Sequence, residues 1–324
     1  MKLQKLLKSA VARFADAPRS IVHLPAGREA TTHTGYACAV ALMRNEGPDI
    51  AEWLAFQSVV GFEHAYLFDD QSSDGTRAAV APFIASGFAT YIPWSRFDRD
   101  VGQQLLAYAH AICTFGGGWR WMSFCDIDEF VFPVADEAIT DTLSRYADVP
   151  AVVVPWHMFG DNGHVARPDG LVIENYTRRA PFPPSVPDAQ GRDLLEWKSI
   201  VDPAMVVSLA SPHFFSLRDH GHGGFREDHR WLAERRPADW PNLRSDVFRL
   251  NHYFTKSQED FARRRAGGRD AVRSRNESDI LQRVQRYARS IETGPPVDDD
   301  LILRYVPRVR AVLERVRATS RGDT

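Results

Sequence analysis

The chain reads as an α/β protein with a mostly parallel sheet flanked by helices. Three observations predict this. Short apolar runs alternate with helix-like segments from residue 36 onward, a pattern that calls for crossover helices and parallel strands. Several of these runs end abruptly in polar or acidic residues, as strands of open sheets do at the edge where ligands bind. The 324 residues, 44% hydrophobic and 25% charged, suffice for one large domain with a smaller appendage.

Residues 1–34 read as a leader. Its start, Met1-Lys2-Leu3-Gln4-Lys5-Leu6-Leu7-Lys8, is a basic amphipathic helix, and a polar stretch with Pro25 and Gly27 follows. Tyr36 to Met43 is a small-apolar run suited to a buried strand, broken by Arg44-Asn45-Glu46-Gly47. Pro48 and Asp49 open a helix whose apolar face is Ile50, Trp53, Leu54 and Val60. Gly61 stops it. Ala65 to Phe68 is the second strand, ending at Asp69-Asp70. The turn Asp70-Gln71-Ser72-Ser73-Asp74-Gly75-Thr76 is rich in capping residues, and a helix from Arg77 to Ser86 follows. Phe88 to Ile92 is a third strand, Val101 to Phe115 a helix, and Ala151 to Val154 a further buried strand. Beyond residue 157 the pattern loosens. Pro181, Pro183, Pro184 and Pro187 mark an irregular loop, and His220-Gly221-His222-Gly223-Gly224 reads as a flexible polar stretch. Residues 35–256 are expected to form the main domain, and 257–324 a basic helical extension packed on it.

The formal net charge of −2 gives no pull towards nucleic acid. Three widely spaced cysteines, Cys38, Cys113 and Cys125, fit reduced thiols and a cytoplasmic location. No run approaches the roughly 20 apolar residues of a membrane span. The cluster Arg263, Arg264, Arg265, Arg269, Arg273 and Arg275 is a solvated helix face or a contact with anionic lipid, so peripheral membrane association is a possible partner mode. A Gly-x-x-x-x-Gly-Lys-[Ser/Thr] loop is absent, which argues against a P-loop enzyme.

The most informative segment is Trp121-Met122-Ser123-Phe124-Cys125-Asp126-Ile127-Asp128-Glu129-Phe130. It reads as a buried strand that ends in three carboxylates. In an extended trace Asp126 and Asp128 point the same way. Two adjacent carboxylates repel unless a proton or cation lies between them, and Mn²⁺ or Mg²⁺ is the cation that prefers such oxygens. A metal held by two side chains keeps open positions for substrate phosphates.

Taken with Arg44-Asn45-Glu46 and Phe68-Asp69-Asp70-Gln71-Ser72-Ser73-Asp74-Gly75-Thr76, this segment resembles GT-A nucleotide-sugar glycosyltransferases. The likeness is to the family 2 type and to the related family 92, which carries an Asp-Ile-Asp-Glu-Phe motif. Phe159-Gly160, Gly163-His164 and Asn251-His252-Tyr253-Phe254-Thr255-Lys256-Ser257 extend the resemblance over residues 37–270. It implies a Rossmann-like GT-A domain and a metal-dependent enzyme that moves a sugar from a nucleotide-diphosphate donor to a hydroxyl acceptor, on a glycan or lipid. Inversion is implied, and so is a role in polysaccharide or glycolipid synthesis.

By the same resemblance, Arg44, Asn45 and Glu46 border the nucleotide, and Asp69 or Asp70 accepts from the base or ribose. Asp126 lies near the ribose or metal, and Asp128 binds the metal. A later histidine reaches the metal, His252 by its order in the chain, with His213 as competitor. Lys198 would contact a phosphate. The catalytic base would be Glu227 or Asp228, after the glycine-rich stretch Gly223-Gly224, with Asp161 as the second choice. Other readings of these residues stand beside these. Asp69, Asp70 and Asp74 serve a turn and helix cap, Arg44 and Glu46 make a surface ion pair, and the histidines pack among aromatics. Trp94 and Trp240 are candidates for stacking on a sugar. A nucleotidyltransferase, or a binding module without turnover, would use the same acidic pair.

Overall fold

A computed structural model of the chain describes residues 21–28, 32–95, 102–182, 196–233, 243–266 and 295–322. The N-terminal basic helix, Pro183, Pro184, Pro187, Trp240 and the arginines 269, 273 and 275 lie outside the described residues, as do the side chains of Arg264 and Arg265. The strands are β1 (Val22–His23), β2 (Gly35–Met43), β3 (His64–Asp69), β4 (Ala89–Pro93), β5 (Trp119–Phe124), β6 (Glu129–Pro133), β7 (Ala151–Met158), β8 (Arg178–Arg179), β9 (Trp197–Val201), β10 (Val206–Leu209), β11 (Phe215–Leu217), β12 (Gly221–Phe225), β13 (Trp231–Ala233), β14 (Phe248–His252) and β15 (Val297–Asp298).

One mixed sheet runs in the order β1-β10-β11-β12-β7-β9-β5-β2-β3-β4, with β13 beside β12 and β14 bridging β6 and β7. Its first half is parallel: β2 pairs with β3 and β5, and β3 with β4. The reason is in β2, where Ala37, Cys38, Ala39, Val40 and Ala41 are all buried, so both faces must be covered by helices. Gly35 opens β2 because a Cβ there would lie 2.1 Å from the Trp119 ring on the neighbouring strand. Helices Ile50–Val59 and Thr76–Ala85 cover one face and helix Gln103–Phe115 the other.

Helix Ile50–Val59 is buried nearly all round, including Glu52 and Gln57, because the C-terminal helix Val306–Gly322 lies across it. Val309 and Leu313 join the core there, and Phe56, Phe132 and Tyr305 meet edge to face. The C-terminal segment is thus part of the domain's core. No helix among the described residues is long and apolar enough to cross a membrane.

The second half differs from the expectation of loose structure. Between β9 and β13 the chain folds into short antiparallel strands of three to five residues. Such short runs show too few alternations to register in the sequence. The stretch His220–Gly224 is no flexible linker: β12 runs through it, and a Cβ on Gly224 would meet Val153 Cγ1 at 2.6 Å. Part of the expected leader, Val22–His23, also pairs into the sheet against β10. The run 121–130 divides in two. β5 stops at Phe124, residues 125–128 turn with Glu129 N–H donating to Asp126 O (3.0 Å), and β6 departs to pair antiparallel with β14.

Candidate functional site

That turn places the acidic residues where the chain leaves one strand pair for another, at the carboxyl end of the parallel strands. Because residues 125–128 turn, the alternation of an extended strand does not apply to them, and the two aspartates have different partners. Asp128 Oδ2 lies 3.5 Å from His252 Nε2, and both side chains are buried. The backbone fixes this pair: Tyr253 N–H donates to Asp128 O (2.8 Å), and Phe159 N–H donates to His252 O (3.0 Å). The His252 ring packs on Trp156 with centroids 4.3 Å apart. His213 lies on another side of Trp156, centroids 5.1 Å apart, with Nδ1 3.1 Å from Trp197 O. Of the two histidines, His252 is the one the structure brings to the aspartates.

Asp126 is held from two sides. Gln104 Nε2 donates to its Oδ1 (2.6 Å) and Lys198 Nζ to its Oδ2 (3.2 Å). Lys198 is also 3.5 Å from Glu129 Oε2, and its side chain is only 2% exposed. Its ammonium therefore faces inward as the counter-ion of Asp126 and Glu129, not outward as expected of a phosphate contact. Glu129 is fully buried, and burial pushes its carboxyl well above the usual range, with Asp126 and Asp128 adding to the shift. For Lys198, burial lowers the pKa, but Asp126 and Glu129 outweigh it and the ammonium stays charged. Gln104 also donates to Tyr108 OH (2.8 Å).

These are three carboxylates against one ammonium, with an imidazole beside the deepest aspartate. The donor set is oxygen plus nitrogen, which suits a hard or borderline divalent cation. Among the described residues no three His, Cys, Asp or Glu side chains converge on one point. A cation held by Asp128 and His252 would keep positions open.

The loop and turn at the ends of β2 and β3 are interlocked. Asn45 sits at φ 54°, and its Oδ1 accepts from Ser73 N–H (2.8 Å) while its own N–H donates to Ser72 Oγ (2.8 Å). Glu46 N–H donates to Thr76 Oγ1 (2.8 Å). Asp74 accepts from Gly47 N–H (3.0 Å) and Thr76 N–H (2.9 Å), the capping role weighed above. Asp69 is similarly occupied, accepting from Ser72 N–H (3.0 Å), Ser72 Oγ and the Tyr91 hydroxyl. Asp70 pairs with Arg44 at 3.7 Å, with the arginine 29% exposed, so this pair faces the rim.

Glu227 and Asp228 are not part of this assembly. They follow β12, whose Phe225 pairs with Val152 at the start of β7, whereas His252 pairs with Met158 at its end. Six residues of strand separate the two levels by about 20 Å. Glu227 accepts from Asp246 N–H (3.1 Å) and Val247 N–H (2.9 Å), and Asp228 pairs with Arg226 (3.0 Å). Both carboxylates organise a turn at the far end of the sheet. Asp161, the second choice as base, accepts from Gly163 N–H (2.8 Å) within its own turn.

Sequence reasoning missed two groups. Gln104 and Tyr108 come from helix Gln103–Phe115, where nothing in the residue types marks a site. The other is a buried ionic network that fastens the segment after His252 to the start of helix Ile50–Val59. Lys256 donates to Asp49, Arg167 reaches Asp49 and Asp260 (3.1 Å), and Ser257 Oγ donates to Asp260 (2.8 Å). At Asp49, burial would raise the carboxyl, but Lys256 and Arg167 outweigh it and hold it at about 2. Lys256, Phe254 and Arg263 line an open pocket of about 340 Å³ together with Arg44, Asn45 and Glu46. Lys256 stands inside the Asn251–Ser257 segment, so its importance was legible, though its partner was not.

Sequence comparison points to one family. A sequence model of glycosyltransferase family 92 matches residues 37–235. A family 92 protein of Oryza sativa subsp. japonica is 26% identical over 190 residues, covering 56% of this chain and 30% of that protein. Another from Ricinus communis is 26% identical over 225 residues, covering 67% of this chain and 35% of its own. The chain thus spans about a third of the length of these relatives. Among solved structures, S. aureus TarS 1–349 in complex with UDP is similar over 52% of this chain and 47% of that one, at 15% identity and a TM-score of 0.31. The mannosyltransferase PcManGT from Pyrobaculum calidifontis, in complex with GDP-Man and Mn²⁺, is similar over 46% and 42%, at 19% identity and a TM-score of 0.28.

Proposed function

We propose, from the premise that the chain belongs to glycosyltransferase family 92, that it transfers a sugar from a nucleotide-diphosphate donor to a hydroxyl of a glycan or lipid-linked acceptor. The observation that carries this reading is the Asp128–His252 pair, 3.5 Å apart beside the Asp126–Lys198–Glu129 cluster. Asp128 and His252 would hold Mn²⁺ or Mg²⁺, which when bound offsets the negative charge that builds on a departing diphosphate.

The chain's own residues do the rest. Gln104 and Lys198 fix Asp126 at the rim, where its 30% exposed side chain can accept a hydrogen bond from a ribose or sugar hydroxyl. Arg44, held by Asp70, and Asn45 line the pocket wall along which the nucleoside would lie. Lys256 and Arg167, by gripping Asp49, keep the segment after His252 seated against that wall. A single displacement, with inversion at the anomeric carbon, is the course we assign.

The test is a thermal-shift screen of UDP- and GDP-sugars with and without Mn²⁺. A donor that binds the folded state raises the melting temperature. Stabilisation by one nucleotide class only in the presence of metal, lost in Asp128→Asn, is the expected result. Equal stabilisation of wild type and Asp128→Asn would refute the assignment of the cation pair. Release of nucleoside diphosphate, not pyrophosphate, separates this reaction from nucleotidyl transfer.

A further inference from the structure

A displacement of this kind needs a group to take the acceptor's proton, and the two carboxylates expected from sequence, Glu227 and Asp228, sit towards the other end of β7. We propose that Glu196 is that group. The inference rests on the donor reading above and deepens it.

Strand register sets which side chains share the site's face. In β9 and β7, Lys198 pairs with Val154, and Trp156 N–H donates to Glu196 O (2.8 Å). In β7 and β14, Trp156 pairs with Leu250 and Met158 with His252. Paired residues point to the same side of a sheet, and residues two apart share a face. Glu196, Lys198, Trp156 and His252 therefore project from one face. On that face Lys198 reaches Asp126 and Glu129, and His252 reaches Asp128. Glu196 lies two residues outward from Lys198, at the rim. Its strand and that of His252 flank β7, which puts their backbones about 10 Å apart by strand spacing.

Three carboxylates lie deeper on this face than Glu196. Glu129 is fully buried on Lys198, Asp126 is held by Gln104 and Lys198, and Asp128 faces His252. Glu196 has a side chain 42% exposed, open to an incoming acceptor. His213 Nδ1 lies 3.9 Å from Glu196 Oε2, and its ring stands edge-on to Trp156, the same indole that packs on His252.

The step balances. The acceptor O–H proton passes to a Glu196 carboxylate oxygen as the acceptor oxygen bonds to the anomeric carbon. The bond from that carbon to the β-phosphate oxygen breaks, and its electron pair leaves with the nucleoside diphosphate.

The experiment measures nucleoside diphosphate release from UDP-glucose, UDP-galactose and GDP-mannose with Mn²⁺, using water as acceptor, beside donor affinity from thermal shift. Glu196→Gln is expected to lose about a hundredfold in release with donor affinity within about twofold. Formate should restore release in Glu196→Ala, which no merely structural role would allow. Release in Glu196→Gln within about threefold of wild type overturns the proposal and leaves the donor reading intact. Absence of Mn²⁺-dependent donor binding in the wild type overturns both.

Discussion

Replacing Lys198 with methionine isolates the electrostatics of the acidic cluster. The two side chains are similar in length, so packing changes little, but the ammonium that contacts both Asp126 and Glu129 is removed. The pair is well enclosed: Lys198 is 2% exposed and Glu129 0%, at 3.2 Å and 3.5 Å from the ammonium to the two carboxylates. Breaking a buried ion pair from one side costs about 3–5 kcal/mol, because the remaining charge is left without compensation. The lower half of that range applies here, since Asp126 is partly exposed and keeps its Gln104 hydrogen bond.

Glu129 also gives the deficit a pH dependence. Its folded-state pKa is raised, so the protonated form is favoured in the fold and stability falls as pH rises above the ordinary carboxyl range. Lys198 is the group that holds this rise down, so its removal lifts the Glu129 carboxyl further, and the methionine variant should lose less at pH 5 than at pH 8. Urea unfolding followed by circular dichroism at both pH values supplies the numbers. The double variant Lys198→Met with Glu129→Gln should recover part of the loss, since no charge is left stranded. A loss below about 1 kcal/mol in the single variant, or no dependence on pH, would refute this account of the cluster.

Glu227→Gln removes one acceptor from the Asp246 and Val247 N–H groups and should cost about 1 kcal/mol in urea unfolding, with Mn²⁺-dependent donor affinity unchanged. Weakened donor binding in that variant would reconnect Glu227 to the site. Glu52, buried against the Val172 and Ile173 N–H groups, is lifted by burial from 4.5 to about 7. Its folded pKa lies above the unfolded one, so its contribution is full below pH 4.5 and is lost as pH rises through about 7. The swing is on the order of 3 kcal/mol, and a stability–pH profile of Glu52→Gln lacking that limb would confirm it.

The parallel half of the sheet was legible in the sequence, because β2, β3 and β4 are continuous apolar runs bounded by turn residues. Local physics sets such strands, so their limits came within a residue or two. The acidic turn was legible for the same reason: Asp126 and Asp128 follow directly on a buried strand. The antiparallel half was not, since strands of three residues carry almost no period and Gly223–Gly224 mimics a loop. There the glycines are required because the neighbouring strands lie too close for a side chain.

The sequence by itself therefore determined the α/β core, the acidic strand end and the order of motifs along the chain. Only the tertiary structure decided which residues meet. It brought His252 rather than His213 to Asp128, turned Lys198 inward, and carried Glu227 and Asp228 to the far end of β7. It also set Glu196 at the rim beside Trp156. Strand order and register make these choices, and both depend on pairings between segments far apart in the chain that no local pattern encodes.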